Sequence, residues 1–370
     1  MSWQLTATDL PDLARGATLL GTGGGGDPYI GKMLVERVLG VGSITILDPD
    51  DLADDLFVIP TAQMGAPTVM VEKIPAGTEP TLALRTLEDH LGRRADATMP
   101  IECGGINSMI PLVVAAETGL PVVDADGMGR AFPELSMETF AVYGVHGSPL
   151  ALAGERGEKV VIDTGDDDRQ MEWLARAITI RLGGVGHIAE YAMTGADVKR
   201  TAVPRTISMA LALGRGIRIA REQHHSPFDA IAEILAPTLY SHMRELFVGK
   251  VNDVERRTTE GFAKGRAVIS PIDPADTETF EISFQNENLI ARHGGEVVAI
   301  VPDLICVVDH ETAEPITTEG LRYGQRVRVL GISTPEMMRT PAALAAFGPT
   351  AFGLSEPFAP VEGTPAVARA

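Results

Sequence analysis

Cysteine is scarce. Cys103 and Cys306 are the only two in 370 residues and share no CxxC spacing, so neither a disulfide framework nor a thiolate zinc cage is implied, and a reducing compartment fits. Basic residues are short as well, 31 against 50 acids for a formal net charge of −19. No Lys/Arg run interrupts that excess, which repels nucleic-acid phosphates and anionic membranes; neither is an expected partner. Long apolar runs are missing: the N-terminal MSWQLTATDLPDLARG carries charge and proline where a leader needs an apolar stretch, and no window reaches a membrane span. The expected location is the cytoplasm. HExxH is absent, His224 and His225 are adjacent and unsuited to chelation, and His187 alone follows a loop (GGVG) into a strand-like run.

What is present is ordinary globular material, 45% hydrophobic and 22% charged. The length exceeds the roughly 250 to 300 residues that one core serves, so two domains are expected. Helical spacing marks LPDLARGATLL, YIGKMLVERVLG, Pro80 to Gly92 and MIPLVVAAETG, while SITIL, LFVIP, ATMPIE and PVVD read as apolar strands between them. That alternation predicts an N-terminal, mostly parallel α/β domain over 1–167. A C-terminal domain over 168–370 follows. It opens with the amphipathic helices MEWLARAITIRLGG, ISMALALGRGIRIAREQ and FDAIAEILA and holds a β-rich subdomain at about 247–332, making it α+β.

Four segments carry candidate chemistry. Gly21, Gly23 and Gly26 satisfy GxGxxG and Asp48 follows at the distance of a ribose-binding acid, but the preceding segment reads as a helix where a dinucleotide site needs a strand. Gly26, Gly31 and Lys32 match GxxxxGK with Met33 where the P-loop hydroxyl belongs, so no nucleotide is expected. Gly23, Gly24, Gly25 and Gly26 then either present backbone N–H groups to a ligand or form a tight turn against neighbouring backbone. IECGGINS puts Glu102 at a strand end and Asn107 before a helix, where it either joins a site or caps. VVDADGMGRAFPE concentrates Asp124, Asp126, Arg130 and Glu134, a set able to hold a divalent cation or activate water, or to form an Asx turn with a surface ion pair. QNEN puts Asn286 and Asn288 in the β-rich part, closing over a site or serving a turn.

The ordered strings LLGTGGGGDPYIG, MGAPTV, IECGGINS, VVDADGMGRAFPE, FQNEN, VPDLI and GPTAFG resemble the S-methyl thiohydantoin desulfurase family along nearly the whole chain. The resemblance implies two domains of similar length and an enzyme that replaces a sulfur substituent at C2 of a five-membered ring by oxygen, in company with hydantoinase or oxoprolinase systems. Chemistry on that ring needs an activated water, a stabilised adduct and a proton for the leaving thiol. The expected roles are Asp124 and Asp126 on a divalent metal (zinc or similar) or on water, Glu102 or Glu134 shuttling a proton, and Arg130 on a substrate carboxylate. Asn107, Asn286, Asn288 and the glycine amides complete the expected substrate contacts. Alternatives are an accessory subunit of a hydantoinase-type assembly and a dinucleotide-dependent oxidoreductase; a homo-oligomer or hydantoinase-type partner is also expected.

Overall fold

The computed structural model describes residues 1–65, 69, 75–259 and 262–363. Part of MGAPTV and residues 260–261 therefore lie outside the described residues. The first part of the chain lays down β1 (Trp3–Thr6), α1 (Leu10–Leu20), α2 (Pro28–Leu39), β2 (Ser43–Leu47), β3 (Phe57–Gly65), α3 (Glu79–Leu91), β4 (Ala97–Met99), α4 (Ile110–Thr118), β5 (Val122–Val123) and β6 (Ala125–Asp126). It continues with α5 (Thr139–Val142), β7 (Leu150–Ala153), β8 (Lys159–Ile162), α6 (Asp168–Arg181), β9 (Val185–Ala189), β10 (Met193–Thr194), α7 (Gly195–Thr201) and β11 (Val203–Pro204). Helices α8 (Thr206–Glu222) and α9 (Pro227–Leu235) follow.

Apart from β6 and β11, which pair with each other, these strands make a mixed sheet in the order β1-β2-β5-β4-β3-β9-β7-β8, with β10 paired to β3 off that path. The centre, β2-β5-β4-β3, is parallel, as the alternation of apolar strands and helices requires. Both flanks are antiparallel. The strand expected over ATMPIE pairs only across Ala97–Met99, because Pro100 has no N–H to extend the ladder, and the freed backbone turns Glu102 out of the sheet's edge. Residue 167 does not interrupt this sheet, since β9 and β10 come after it. Helix α8 also returns to the first layer: Gly16 and Gly214 let α1 and α8 touch backbone to backbone, and a Cβ at either would strike the carbonyl of Ala210 or Asp12.

The second layer is a curled antiparallel sheet of β12 (Met243–Thr259), β13 (Phe262–Pro271), β14 (Phe280–Gln285), β15 (Glu287–His293), β16 (Glu296–Ile300), β17 (Leu304–Asp309) and β18 (Arg326–Ile332), ordered β16-β15-β14-β13-β12-β18-β17. Helix α10 (Pro341–Phe347) follows it. The sheet keeps a core of its own, including Phe247, Ile269, Phe280, Ile282, Val307 and Val329. Its other apolar residues, Leu289, Ile300 and Leu304, join the large core of the first layer with Leu13, Ile46, Val113 and Ile207. The two parts thus meet over buried surface, and the turn between β14 and β15 lands on the glycine loop between α1 and α2.

Candidate active site

The glycine run links two helices, not a strand to a helix, which is the wrong context for a dinucleotide loop. Gly23, Gly25 and Gly26 have φ of 95°, 76° and 76°, a region that side chains other than glycine adopt at a cost. Gly25 also interlocks with the second glycine pair: Ile106 N donates to Gly25 O at 2.9 Å, and a Cβ on Gly25 or Gly105 would collide with the other loop's carbonyl. Gly24 has no room for a Cβ because the Glu287 carboxylate lies there, and Gly25 N donates to Glu287 Oε1 at 3.2 Å. The run is therefore both a close-packed turn and the seat of an acid from the other sheet.

Past β4, Asn107 occupies a 3-10 turn (Gly105–Ser108) and fixes Glu102 rather than capping α4. Its Nδ2 donates to Glu102 Oε1 at 2.9 Å and to Gln63 O at 3.2 Å, while its Oδ1 accepts from Gln63 N at 2.8 Å. This amide locks the end of β3 to the loop after β4. Among the described residues, Glu102 Oε2, Glu287 Oε2 and Gln63 Oε1 are then left buried without a hydrogen-bond partner. All three residues line one cleft, with Gly25, Gly26, Asn107, Asn286, Met128 and Phe132 around them and Glu134 and Arg176 at its mouth. The same Glu134 and Arg176 line a wider crevice beyond, so the cleft opens there.

Burial governs the electrostatics. Glu102 is pushed well above the usual carboxylate range by burial and then by the nearby Glu287 charge, against the opposing Asn107 hydrogen bond. Burial pushes Glu287 up to about 8, with Arg130 pulling the other way. Burial thus favours the protonated form of both acids, the form able to donate a proton. Glu134, only partly buried, is raised by burial and by the Glu172 charge, which suits a base at the mouth.

The other expected residues sit elsewhere. Asp124 Oδ1 accepts from Ser208 N at 3.0 Å at the start of α8, and its carbonyl accepts from Arg205 N at 2.6 Å. Asp126 accepts from Met128 N at 3.2 Å, Gly129 N at 2.6 Å and Cys103 N at 2.7 Å, an Asx turn that joins the two strand-end loops. Burial raises Asp126 to about 7 despite those three donors. Neither aspartate lines the cleft, and their oxygens are committed to backbone N–H groups, so this pair does not fit a divalent metal. Among the described residues no group of three or more His, Cys, Asp and Glu is placed to hold a metal ion. His187, on β9, is also buried away from the aspartates, with Nε2 unpartnered.

Arg130 is fully buried and donates to the carbonyls of Ala131, Pro302, Asp303 and Asn288 at 3.0 to 3.2 Å. It clamps the first layer to the second sheet instead of facing the cleft, and burial lowers its pKa to about 10. Asn288 serves the same seam through Nδ2 to Ile305 O at 2.8 Å. Gly23 packs against the Asn288 side chain. Asn286 lines the cleft, but its Oδ1 accepts from Ala263 N and its φ of 59° makes the β14–β15 turn. The structure thus gathers Gly25, Gly26, Glu102, Asn107, Glu134 and Asn286 and leaves Gly23, Gly24, Asp124, Asp126, Arg130 and Asn288 outside. Glu287 and Gln63 were not among the residues expected from the sequence; an acid flanked by two asparagines in QNEN was the available signal for the first, and Gln63 carried none.

No helix among the described residues is long and apolar enough to cross a membrane. No curated protein matches the chain. A crystal structure of a protein from Chromobacterium violaceum superposes with a TM-score of 0.82 at 25% sequence identity, covering 97% of this chain and 100% of that one. The family model for the S-Me-THD-like N-terminal domain matches residues 8–164, and that for the S-Me-THD-like C-terminal domain matches residues 166–361. Through both halves together, the chain belongs to the S-Me-THD-like family.

Proposed function

We propose that the chain is a hydrolytic enzyme that replaces the C2 sulfur substituent of a thiohydantoin-like ring by oxygen, and that the cleft between the glycine loop and the β14–β15 turn is its active site. The observation that carries this reading is the pair of buried acids, Glu102 and Glu287, each with one oxygen free toward the same cleft. An S-alkylated ring presents an electrophilic C2 between two nitrogens. Water attacks C2 as its proton passes to Glu134, forming the new C–O bond. Glu102 or Glu287 protonates the ring nitrogen whose double bond to C2 has opened. When the adduct collapses, the C2–S bond breaks, Glu134 passes its proton to the leaving sulfur so that a thiol departs, the adduct hydroxyl returns its proton to the ionised acid, and a C2 carbonyl remains. Gln63 and Asn107 orient the ring and Glu102 respectively, and burial keeps the acids protonated until the ring needs them.

The test is thiol release from S-methyl thiohydantoin, followed with a thiol-reactive dye, for the wild-type protein and for Glu287→Gln and Glu134→Gln. Loss of about 100-fold or more in kcat for both, with folding retained, is the expected result. Full turnover by both variants would remove these residues from the chemistry.

A further inference from the structure

The cleft is lined by apolar side chains and by three side chains whose polar atoms are left incompletely paired. Gln63 Oε1, Glu102 Oε2 and Glu287 Oε2 are buried and unpartnered, while Gly25 N is already given to Glu287. Among the described residues neither lysine nor histidine lines the cleft. The one cation among them, Arg176 at the mouth, is spent on Glu172 Oε1 at 2.5 Å, on Pro133 O at 2.9 Å and on the face of Phe262. Gln63 Oε1 takes an N–H donor from a ligand, and a cationic ligand that ionises Glu102 and Glu287 supplies donors to their free oxygens as well, so positive charge on it is favoured over negative. An S-alkylated ring brings few donors across its N–C–N edge. The same ring with nitrogen in place of sulfur at C2 brings an exocyclic amino group, and when protonated it spreads a positive charge along that edge.

We infer that the cleft also takes cyclic guanidines, five-membered rings bearing a 2-imino group, and hydrolyses their C2–N bond. This rests on the cleft being the active site proposed above. The step balances without a redox partner. Water oxygen bonds to C2 as one of its protons passes to Glu134, the imino nitrogen takes a proton from Glu102 or Glu287 and a second from Glu134, the C2–N bond breaks and ammonia departs, and the adduct hydroxyl returns its proton to the acid as the carbonyl forms. The retained amide, 2-oxo product is the one expected from the sulfur substrate. Charge pairing also works in the ligand's favour, because a bound cation draws the shared acids toward their ionised forms.

The experiment uses the full chain with 2-imino-imidazolidin-4-one and, as its oxygen isostere, hydantoin. Calorimetry reads binding and a coupled assay reads ammonium, beside thiol release from the S-methyl ring. The expected result is binding of the imino ring about tenfold or more tighter than hydantoin, with ammonium release. Glu287→Gln should bring the two affinities together, and the wild-type comparison stands even if that variant does not fold. Thiol release with imino-ring binding no tighter than hydantoin overturns this inference and leaves the function reading intact. Ammonium release without thiol release does the reverse. Tight binding without ammonium overturns the added activity, and a folded protein that binds neither ring overturns both.

Discussion

Glu287→Gln changes one atom pair and tests the electrostatic account of the site without any substrate. In the unfolded chain the glutamate loses its proton near 4.5, whereas burial in the cleft raises it to about 8. Between those values the folded state holds a proton that the unfolded state has released, so stability is full below about pH 4.5 and falls as pH rises, until the loss is complete above about pH 8. At about 1.36 kcal/mol per pKa unit, that loss is on the order of 5 kcal/mol. Glutamine does not titrate. Its Oε1 keeps the Gly25 N–H, and its Nε2 faces the cleft in place of the free oxygen. Because Glu102 and Asp126 slope in the same direction, the diagnostic quantity is the difference between wild type and variant, not the wild-type curve alone. Urea unfolding at several pH values from about 5 to about 9 should show the variant gaining on wild type by several kcal/mol across that range. Parallel curves, with a difference constant within about 1 kcal/mol, would refute a buried, protonated Glu287.

Asp126→Asn places an amide where three backbone N–H groups point and should cost about 2 kcal/mol in urea unfolding, more than any change in KM would explain. Arg130→Lys removes the fork that reaches four carbonyls and should destabilise by about 3 kcal/mol or more, measured by the same unfolding curves. Gly24→Ala drives a methyl into the Glu287 carboxylate, so thiol release should fall about tenfold or more while the far-ultraviolet circular dichroism stays native. His187 carries the opposite pH signature: burial lowers it to about 4 from 6.5, so its contribution is full above about pH 6.5 and is lost as pH falls toward about 4. His187→Gln should flatten the acid side of the stability profile.

Element type was largely legible because burial imposes periodicity. The 3.6-residue spacing in LPDLARGATLL and the apolar run SITIL fix α1 and β2 almost to the residue. What periodicity does not carry is the partner. Strands β7, β8 and β9 look no different from the strands of a parallel sheet, yet they run antiparallel on its flank, and β9 joins from beyond the boundary drawn at the charged loop GDDDRQ. That loop is polar because it begins α6, where Asp167 caps the helix by accepting from Gln170 N. The same loop is also where the two family-model matches meet, at 164 and 166, so it marks a helix start and a border between the two matches at once.

The candidate site was harder to read, and for a physical reason. A sequence shows which groups are near one another along the chain, whereas the chemistry of a buried acid depends on which donors reach it through space. Asp124, Asp126 and Arg130 drew notice as a local cluster, but Asp126 meets three N–H groups and Arg130 meets four carbonyls. Their polarity is spent on holding the loops and the two layers together. Glu102 and Glu287 stand 185 positions apart in the chain and come together only because the glycine loop admits the Glu287 carboxylate. Each keeps a carboxyl oxygen without a hydrogen-bond partner among the described residues. Unsatisfied buried polarity is costly to stability, by about 1 to 3 kcal/mol per group. Three such side chains, Gln63, Glu102 and Glu287, face one cleft, where a ligand would offset that cost, and this is the ground on which the active site is proposed there and not at VVDADGMGRAFPE.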